Sequence, residues 1–512
     1  MERKSIIPSK ERVRSKPRSS NAPGHKTRVS TREPGEDWDD PHRMARLLLK
    51  TRSMGGDGPA LLFWRDDWYQ YTKDGWQRMT ETEVTGLVAS HCRDVAVGDY
   101  RQRVREAEGK KNLPKVQKVT NRLVADVLLH LRGMAAVPDR GEEPPFWLPT
   151  AASPPAGAGL PGTIVAAKNG LFRLDELSRD CAPFSPPTPA FFTLTPLPFP
   201  VHPGAGEPRE WVKFLGEVFA GDTASRAILQ EWFGYILARE TRMQKILLLV
   251  GPTRSGKGTI TKILSDLVGK GNVAGPTFAS LGTQFGLSDL LGKTLAIISD
   301  ARLSPRTDLA VVAERLLTIS GEDALTIDRK YKSPVTARLS TRVVICTNEL
   351  PRLTDASGAM SNRFLILPTP LSWAGREDRG LLDRLRNELP EILVWAAAGW
   401  KRLREQGQFS RSSASERSGR DLDILTSPIR AFVSDRCVLG PGHEVEVPRL
   451  LSAWKAWNEE LGLKVPPDSE FWRDLRTVVP DLQTVFRRRD DSGVRGRSYR
   501  GIGLNTARQM RK

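Results

Sequence analysis

The sequence predicts a multidomain α/β protein whose central domain is built on a glycine-rich loop. Three observations carry this. The chain has 512 residues, more than one hydrophobic core organises. Residues 245–370 alternate apolar strand-like runs with helical patterns. Within them "LLLVGPTRSGKGTITKIL", Leu247 to Leu264, joins an apolar run to a helical pattern through a glycine-rich turn.

Composition narrows the class. Hydrophobic residues make up 39%, enough for globular folding, and the net charge is +18. Such a balance points to polyanionic partners, nucleic acid ahead of membrane. No apolar stretch approaches the roughly 20 residues of a membrane span. The basic N-terminus, "MERKSIIPSKERVRSKPRSS", lacks the apolar core of a secretion signal. We therefore expect a cytoplasmic protein with no membrane partner. Cys92, Cys181, Cys346 and Cys437 form no C-x-x-C pair, and the histidines show no metal spacing, so no zinc site is expected.

The elements follow in order. Residues 1–32 hold ten Lys/Arg against two Glu and cannot bury a core, so residues 1–40 are expected to be a disordered basic tail. Residues 41–190 read as a small α+β region. In it "LLFWRDDWYQYTKDGWQRM" is a hairpin or meander with a turn at Asp74-Gly75, and a helical pattern runs on to about His130. "TIVAAKNGLFRL" is a second hairpin, turning at Asn169-Gly170. "FFTLTPLPFPVHPGAGEP" is too rich in proline for a helix or central strand.

Residues 191–242 are expected to form a helical collar. Trp211, Phe214, Leu215 and Val218 share one helical face; Ile228, Leu229, Trp232, Phe233 and Ile236 share another. They pack most simply as a helical pair. The nucleotide domain occupies 243–410 and ends in a helical stretch from Gly380 to Gln406. "FSRSSASERSGR" places a linker at 411–426. Residues 427–505 carry three helical patterns and a basic hairpin, and 506–512 a basic tail.

The chemistry begins at the loop. Gly251, Gly256 and Lys257 fit G-x-x-x-x-G-K-[ST], with Pro252, Thr253, Arg254 and Ser255 between. Glycines let the backbone turn and present N–H groups to phosphate, and the following helix adds its dipole. Lys257 supplies a point charge for the β/γ-phosphates. Gly258 stands where a hydroxyl usually holds Mg²⁺, and Thr259 is the nearest substitute. ATP and Mg²⁺ are the expected ligands.

"KTLAIISDAR" is an apolar strand ending at Asp300, 43 residues after Lys257. Ligands of doubly wound sheets sit beyond the carboxyl ends of strands, which suits Asp300 for Mg²⁺. Ala301 stands where many motor ATPases carry a catalytic Glu; Glu314, Glu322 and Asp323 are candidates to activate water instead. "TRVVICTNELP" ends at Asn348, placed to reach the γ-phosphate or attacking water. Arg363 precedes the next apolar strand and could reach a neighbouring subunit's nucleotide as an arginine finger. Between them, strand-like "ALTI" and "VTARL" flank a basic tip, Arg329, Lys330, Tyr331 and Lys332, suited to a DNA backbone.

This order of motifs resembles superfamily 3 helicases, specifically the phage and plasmid primase–helicase family related to poxvirus primase-helicases. The carrying stretches are "GPTRSGKGT", "LAIISDAR", "ISGEDALTIDRKY", "VICTNELPRLTDASGAMSNRF" and "LQEWFGYILARETRMQKILLLVG". They span roughly 190–410, with a looser match over 60–190. The resemblance implies an AAA+-like P-loop ATPase core after a helical collar, usually hexameric, that translocates on single-stranded DNA during mobile-element replication. It implies Lys257 and Thr259 in the loop, Asp300 as the magnesium acid, Asn348 as sensor and Arg363 as finger. Lys330 and its neighbours would lie on a DNA hairpin. Members often read G-K-G, which accommodates Gly258.

Family members often carry a primase domain upstream. Asp66 and Asp67 are adjacent, so on a strand they would point to opposite faces and form no catalytic pair. Primer synthesis is not expected of this chain, and a separate primase or initiator is an expected partner. The last block fits a winged helix-turn-helix: "PRLLSAWKAWNEELG" and "DSEFWRDLRTVV" as helices, "TVFRRRDDSGVRGRSYRGIGL" as the wing. Arg487, Arg488, Arg489, Arg495, Arg497 and Arg500 on the wing suit phosphate contact. Trp454, Trp457 and Trp472 are expected in its core.

Three functional readings follow. The first is an ATP-dependent helicase on single-stranded or forked DNA, working as a homo-hexamer. A second is a replication initiator or DNA-binding scaffold whose ATPase switches assembly. The third is a nucleotide kinase, since G-K-G-T also opens adenylate kinases, though nothing here supplies an arginine-rich lid.

Overall fold

In the computed structural model the described residues are 36–53, 58–107, 115–149, 154–155, 157–177, 179, 181–299, 309–351, 359–463, 465–488 and 495–505. The fold is mixed α/β. At its centre lies a five-stranded parallel sheet in the order Phe364–Pro368, Ile246–Val250, Arg342–Thr347, Leu295–Ile298, Val273–Ala274.

The strands are apolar throughout because both faces are covered. Side chains alternate between faces, so Leu247 and Leu249 enter one core while Ile246 and Leu248 enter the other. The first face is covered by helices Arg209–Val218, Thr223–Leu237, Lys257–Val268 and Leu389–Gln406. The second is covered by Phe278–Leu281 and Leu309–Gly321.

The apolar faces expected of the collar are buried: Trp211, Leu215, Val218, Ile228, Leu229, Trp232, Phe233 and Ile236 are all nearly inaccessible. Their arrangement differs from a simple pair. Helix Thr223–Leu237 crosses helix Leu389–Gln406 so closely that a Cβ on Gly234 would stand 2.4 Å from the Ala396 carbonyl oxygen, and one on Gly399 2.4 Å from that of Gln230. Arg402 fastens the crossing, donating to Glu231 at 2.7 Å and to the Ala227 carbonyl at 2.9 Å. Small residues on both helices make this approach possible, a match between distant segments.

The N-terminal region contains the expected meander, Leu61–Trp64, Asp67–Thr72 and Gly75–Met79. Helices Pro41–Thr51, Glu81–Glu106 and Asn121–Ala135 cover one face. Leu62, Trp64, Tyr69 and Trp76 on the other face pack on Phe192 and Leu148. The boundary expected at residue 190 therefore cuts through a packed unit. Phe146 pairs with Phe192 and Trp147 with Phe191 as a short ladder, drawing "FF" into the N-terminal core.

The stretch expected as a linker at 411–426 is instead helix Ser413–Thr426. Ser412 caps it, accepting from the backbone N–H of Ala414, and Leu422 is buried against the central sheet. Helices Pro428–Arg436, Val447–Glu460 and Asp468–Val478 follow, with a sheet in the order Cys437–Glu446, Arg495–Leu504, Gln483–Arg488. Trp454 and Trp457 stack at 5.6 Å in its core, with Trp472 packed partly buried beside them. No helix among the described residues is long and apolar enough to cross a membrane.

Candidate nucleotide site

The glycine-rich loop leaves strand Ile246–Val250 and enters helix Lys257–Val268. Two glycines are there for steric reasons. A Cβ on Gly251 would stand 2.1 Å from the Thr369 carbonyl oxygen. Gly256 adopts φ 92°, and its Cβ would stand 2.7 Å from Val218, so the collar helix presses on the loop. Gly258 is different: a Cβ there would meet nothing within 4 Å.

Lys257 is buried at the helix start. Its Nζ donates to the carbonyls of Gly251 (2.5 Å) and Pro252 (2.8 Å) and to Ser255 Oγ (3.1 Å). It also reaches Asn348 Oδ1 at 3.4 Å. Burial lowers the Lys257 amine from its ordinary value. Cys346 lies on the adjoining strand, where burial pushes its thiol up to about 12 and keeps it neutral. The ammonium thus has carbonyl, hydroxyl and amide partners, and a phosphate would offer it a full counter-charge.

Strand pairing explains why Asn348 arrives. Strand Arg342–Thr347 lies parallel to the loop strand, Thr347 opposite Val250, so both chains leave the sheet at one edge. The Gly251 N–H donates to the Thr347 carbonyl at 3.2 Å. Thr369, which sequence reasoning passed over, holds the other side. It follows strand Phe364–Pro368, and its hydroxyl meets Ser255 Oγ at 2.7 Å. The signal was available: the run "FLILP" predicts a strand, and the residue after it must reach the loop's edge if the two strands are neighbours. Ser372 Oγ donates to the Thr253 carbonyl at 2.8 Å, and Arg254 lies 3.5 Å from Glu377, so segment 369–377 straps the loop tip.

Other expected residues fall elsewhere. Strand Leu295–Ile298 ends at the loop's edge, Ile298 opposite Ile345, whereas Asp300 and Ala301 lie outside the described residues. Thr259 is half-buried in the first turn of the loop helix. Glu314 is exposed on helix Leu309–Gly321. Glu322 accepts from the Thr241 hydroxyl, and Gln244 donates to the Gly321 carbonyl at 3.2 Å. Thr241 and Gln244 precede Ile246, so Glu322 and Asp323 lie at the opposite sheet edge. This corrects the expectation that either activates water at this chain's own loop. Arg363 lies at that same edge, bonded to Gln244, with Phe364 opposite Ile246. A five-residue strand spans roughly 17 Å, so Arg363 is a strand's length from its own loop.

A cleft of about 710 Å³ opens between residues 141–146, 238–242 and 338–340. The last two segments lead into strands beginning at Ile246 and Arg342, so it too belongs to the far edge and is no part of the loop site.

The basic hairpin forms as expected, Leu325–Arg329 with Lys332–Ala337. Its cations are divided. Lys330 and Tyr331 form the tip, Tyr331 being 93% exposed. Arg329 is turned inward and bonds Asp66 at 2.8 Å, while Lys332 pairs with Asp67. In the C-terminal sheet Arg487 and Arg488 lie opposite Gly496 and Arg495, and Arg497 is exposed beside Tyr499. Arg489 lies outside the described residues.

Comparison with known proteins adds two findings. A family model described as a family of unknown function, DUF5906, matches residues 249–363. That span begins at the end of the loop strand and stops at Arg363. Among solved structures, the apo structure of the NrS-1 C terminal region aligns at 14% identity and TM-score 0.51, covering 91% of this chain and 100% of that chain. Its A form apo structure aligns over the same shares at 14% identity and TM-score 0.49. The likeness is one of fold.

Proposed function

We propose that this chain is an ATP-dependent DNA motor of the superfamily 3 type, with an AAA+-like core and a winged-helix DNA-binding unit. The observation that carries the reading is the meeting of Lys257 and Asn348 at one sheet edge. A loop lysine and a polar residue from the adjacent strand there suit a triphosphate and its attacking water. Strand order supports it: the strand bearing Asn348 lies between the loop strand and the strand leading to Asp300.

In this reading Lys257 and the loop N–H groups hold the β/γ-phosphates. Mg²⁺, held through Thr259 and Asp300, would neutralise charge developing on the transferred phosphoryl group. Asn348 orients water. Arg363 serves a neighbouring copy's nucleotide, a reading supported by its place at the far edge. Lys330 at the hairpin tip and the wing arginines contact DNA phosphates.

ATP hydrolysis and strand displacement on a forked duplex test the proposal. Hydrolysis is expected to be stimulated by single-stranded DNA and lost in Lys257→Ala. Normal hydrolysis by that variant would refute it. A second reading, an ATP-switched initiator or scaffold, is favoured by the removal of Glu322 and Asp323 from the loop edge. DNA binding and assembly without displacement would select it.

A further inference from the structure

The meander turns between Trp64 and Asp67 through Arg65 and Asp66, both at positive φ (49° and 63°), as a two-residue hairpin turn of the primed kind requires. This turn abuts the basic hairpin of the central domain. Arg329 Nη1 donates to the Arg65 carbonyl at 2.7 Å and Nη2 to Asp66 Oδ2 at 2.8 Å. Its Nε and Nη2 also reach the Ser333 carbonyl, at 2.9 and 2.8 Å. The Arg329 side chain keeps only 9% of its exposure. Lys332 donates to the Asp66 carbonyl at 3.3 Å and pairs with Asp67, which also accepts from Arg78.

The turn is itself anchored from behind. The Arg65 side chain is withdrawn from solvent, bonding Asp139 through Nε at 2.9 Å and Nη2 at 3.0 Å and pairing with Glu143. Glu143 in turn accepts the Gly292 N–H at 3.0 Å, just before strand Leu295–Ile298. A continuous polar chain therefore runs from the turn that enters the central sheet through Glu143 and Arg65 to the hairpin.

We infer that the Arg65–Asp67 turn is a positioning element: it clasps the hairpin just behind its tip, through Arg329 and Lys332, so that Lys330 and Tyr331 are presented to single-stranded DNA. This rests on the DNA-motor reading. A guanidinium bonded to two carbonyls and a carboxylate, and largely withdrawn from solvent, is built to hold its own strand in place. It has little left to offer a phosphate. The exposed tip, with Lys330 over the Tyr331 ring at 5.1 Å, offers both a charge and an aromatic face.

The test uses the full chain carrying Asp66→Asn and Asp67→Asn together. Asn tolerates the left-handed turn, so the charge is removed and the turn kept. Hydrolysis is titrated with single-stranded DNA. The half-stimulating DNA concentration is expected to rise about threefold to tenfold, with the basal rate and saturated rate unchanged. A fall would mean that the acids compete with DNA, and no change would mean that the clasp does not position the tip; either overturns the inference. Hydrogen exchange of the 325–337 amides is measured alongside. If the wild-type chain shows no stimulation, the motor reading fails. Faster hairpin exchange in the variant would then still support the clasp, and unaltered exchange would remove it.

Discussion

Lys257 and Asn348 stand 91 positions apart in the chain, yet Nζ and Oδ1 are 3.4 Å apart. The parallel pairing of two strands produces the contact, and it separates two jobs that mutation can distinguish. Lys257→Ala removes the charge proposed to bind phosphate, so nucleotide binding and hydrolysis should both fall. Asn348→Ala should leave binding within a few-fold while kcat drops about 10- to 1,000-fold, the cost of losing one oriented polar group. Equilibrium nucleotide binding and steady-state hydrolysis on both variants check this.

Gly251 and Gly258 belong to the same loop and should respond oppositely. Gly251→Ala forces a methyl onto Thr369, so it should lower the unfolding temperature and abolish nucleotide binding. Gly258→Ala meets open space near the start of a helix, where alanine gains up to about 1 kcal/mol over glycine. Thermal unfolding of the two variants measures the contrast.

The crossing of helices Thr223–Leu237 and Leu389–Gln406 leaves no room for a side chain at Gly234. Gly234→Ala should destabilise by about 1–3 kcal/mol through overpacking. Gly399→Ala should do the same, and because both widen one crossing the double variant should cost less than their sum. Denaturant unfolding of the three variants provides the values.

Asp222 caps helix Thr223–Leu237, accepting from the Ser225 hydroxyl at 2.7 Å and the Ser412 hydroxyl at 2.8 Å. Burial works to raise its carboxyl, and the hydrogen bonds from Ser225 and Ser412 outweigh this and hold it below its ordinary value. A depressed carboxyl contributes stability above its unfolded value and loses it as pH falls through the folded one. Asp222→Ala should therefore cost about 1 kcal/mol near neutral pH. The difference from wild type should shrink as pH drops below about 4. Chemical denaturation across pH 3 to 7 reads both effects.

What could be read from the chain was the chemistry written in short stretches. The loop needs its glycines and lysine within a few residues, and the collar faces repeat at helical spacing, so both were legible. Helix Ser413–Thr426 was not, because serine and arginine dominate it and its burial depends on Leu422 finding the sheet. The clasp was hidden for another reason. Arg329 and Asp66 are 263 positions apart, and nothing local tells a cation destined for an aspartate from one destined for DNA. Thr369 was within reach, since its role follows once two apolar runs are taken as neighbouring strands.

The placement of the loop at one sheet edge and Arg363 at the other has an architectural consequence. If Arg363 serves a neighbouring copy's nucleotide as proposed, each subunit has a donor end and an acceptor end, like a brick with a peg and a socket. Two copies could serve both loops only by lying side by side in opposite directions about a twofold axis. Head-to-tail contact uses one peg and one socket per joint and always leaves one of each over. In a head-to-tail series only rotation to closure leaves no end unused, so the proposed trans finger fits a closed circle of copies.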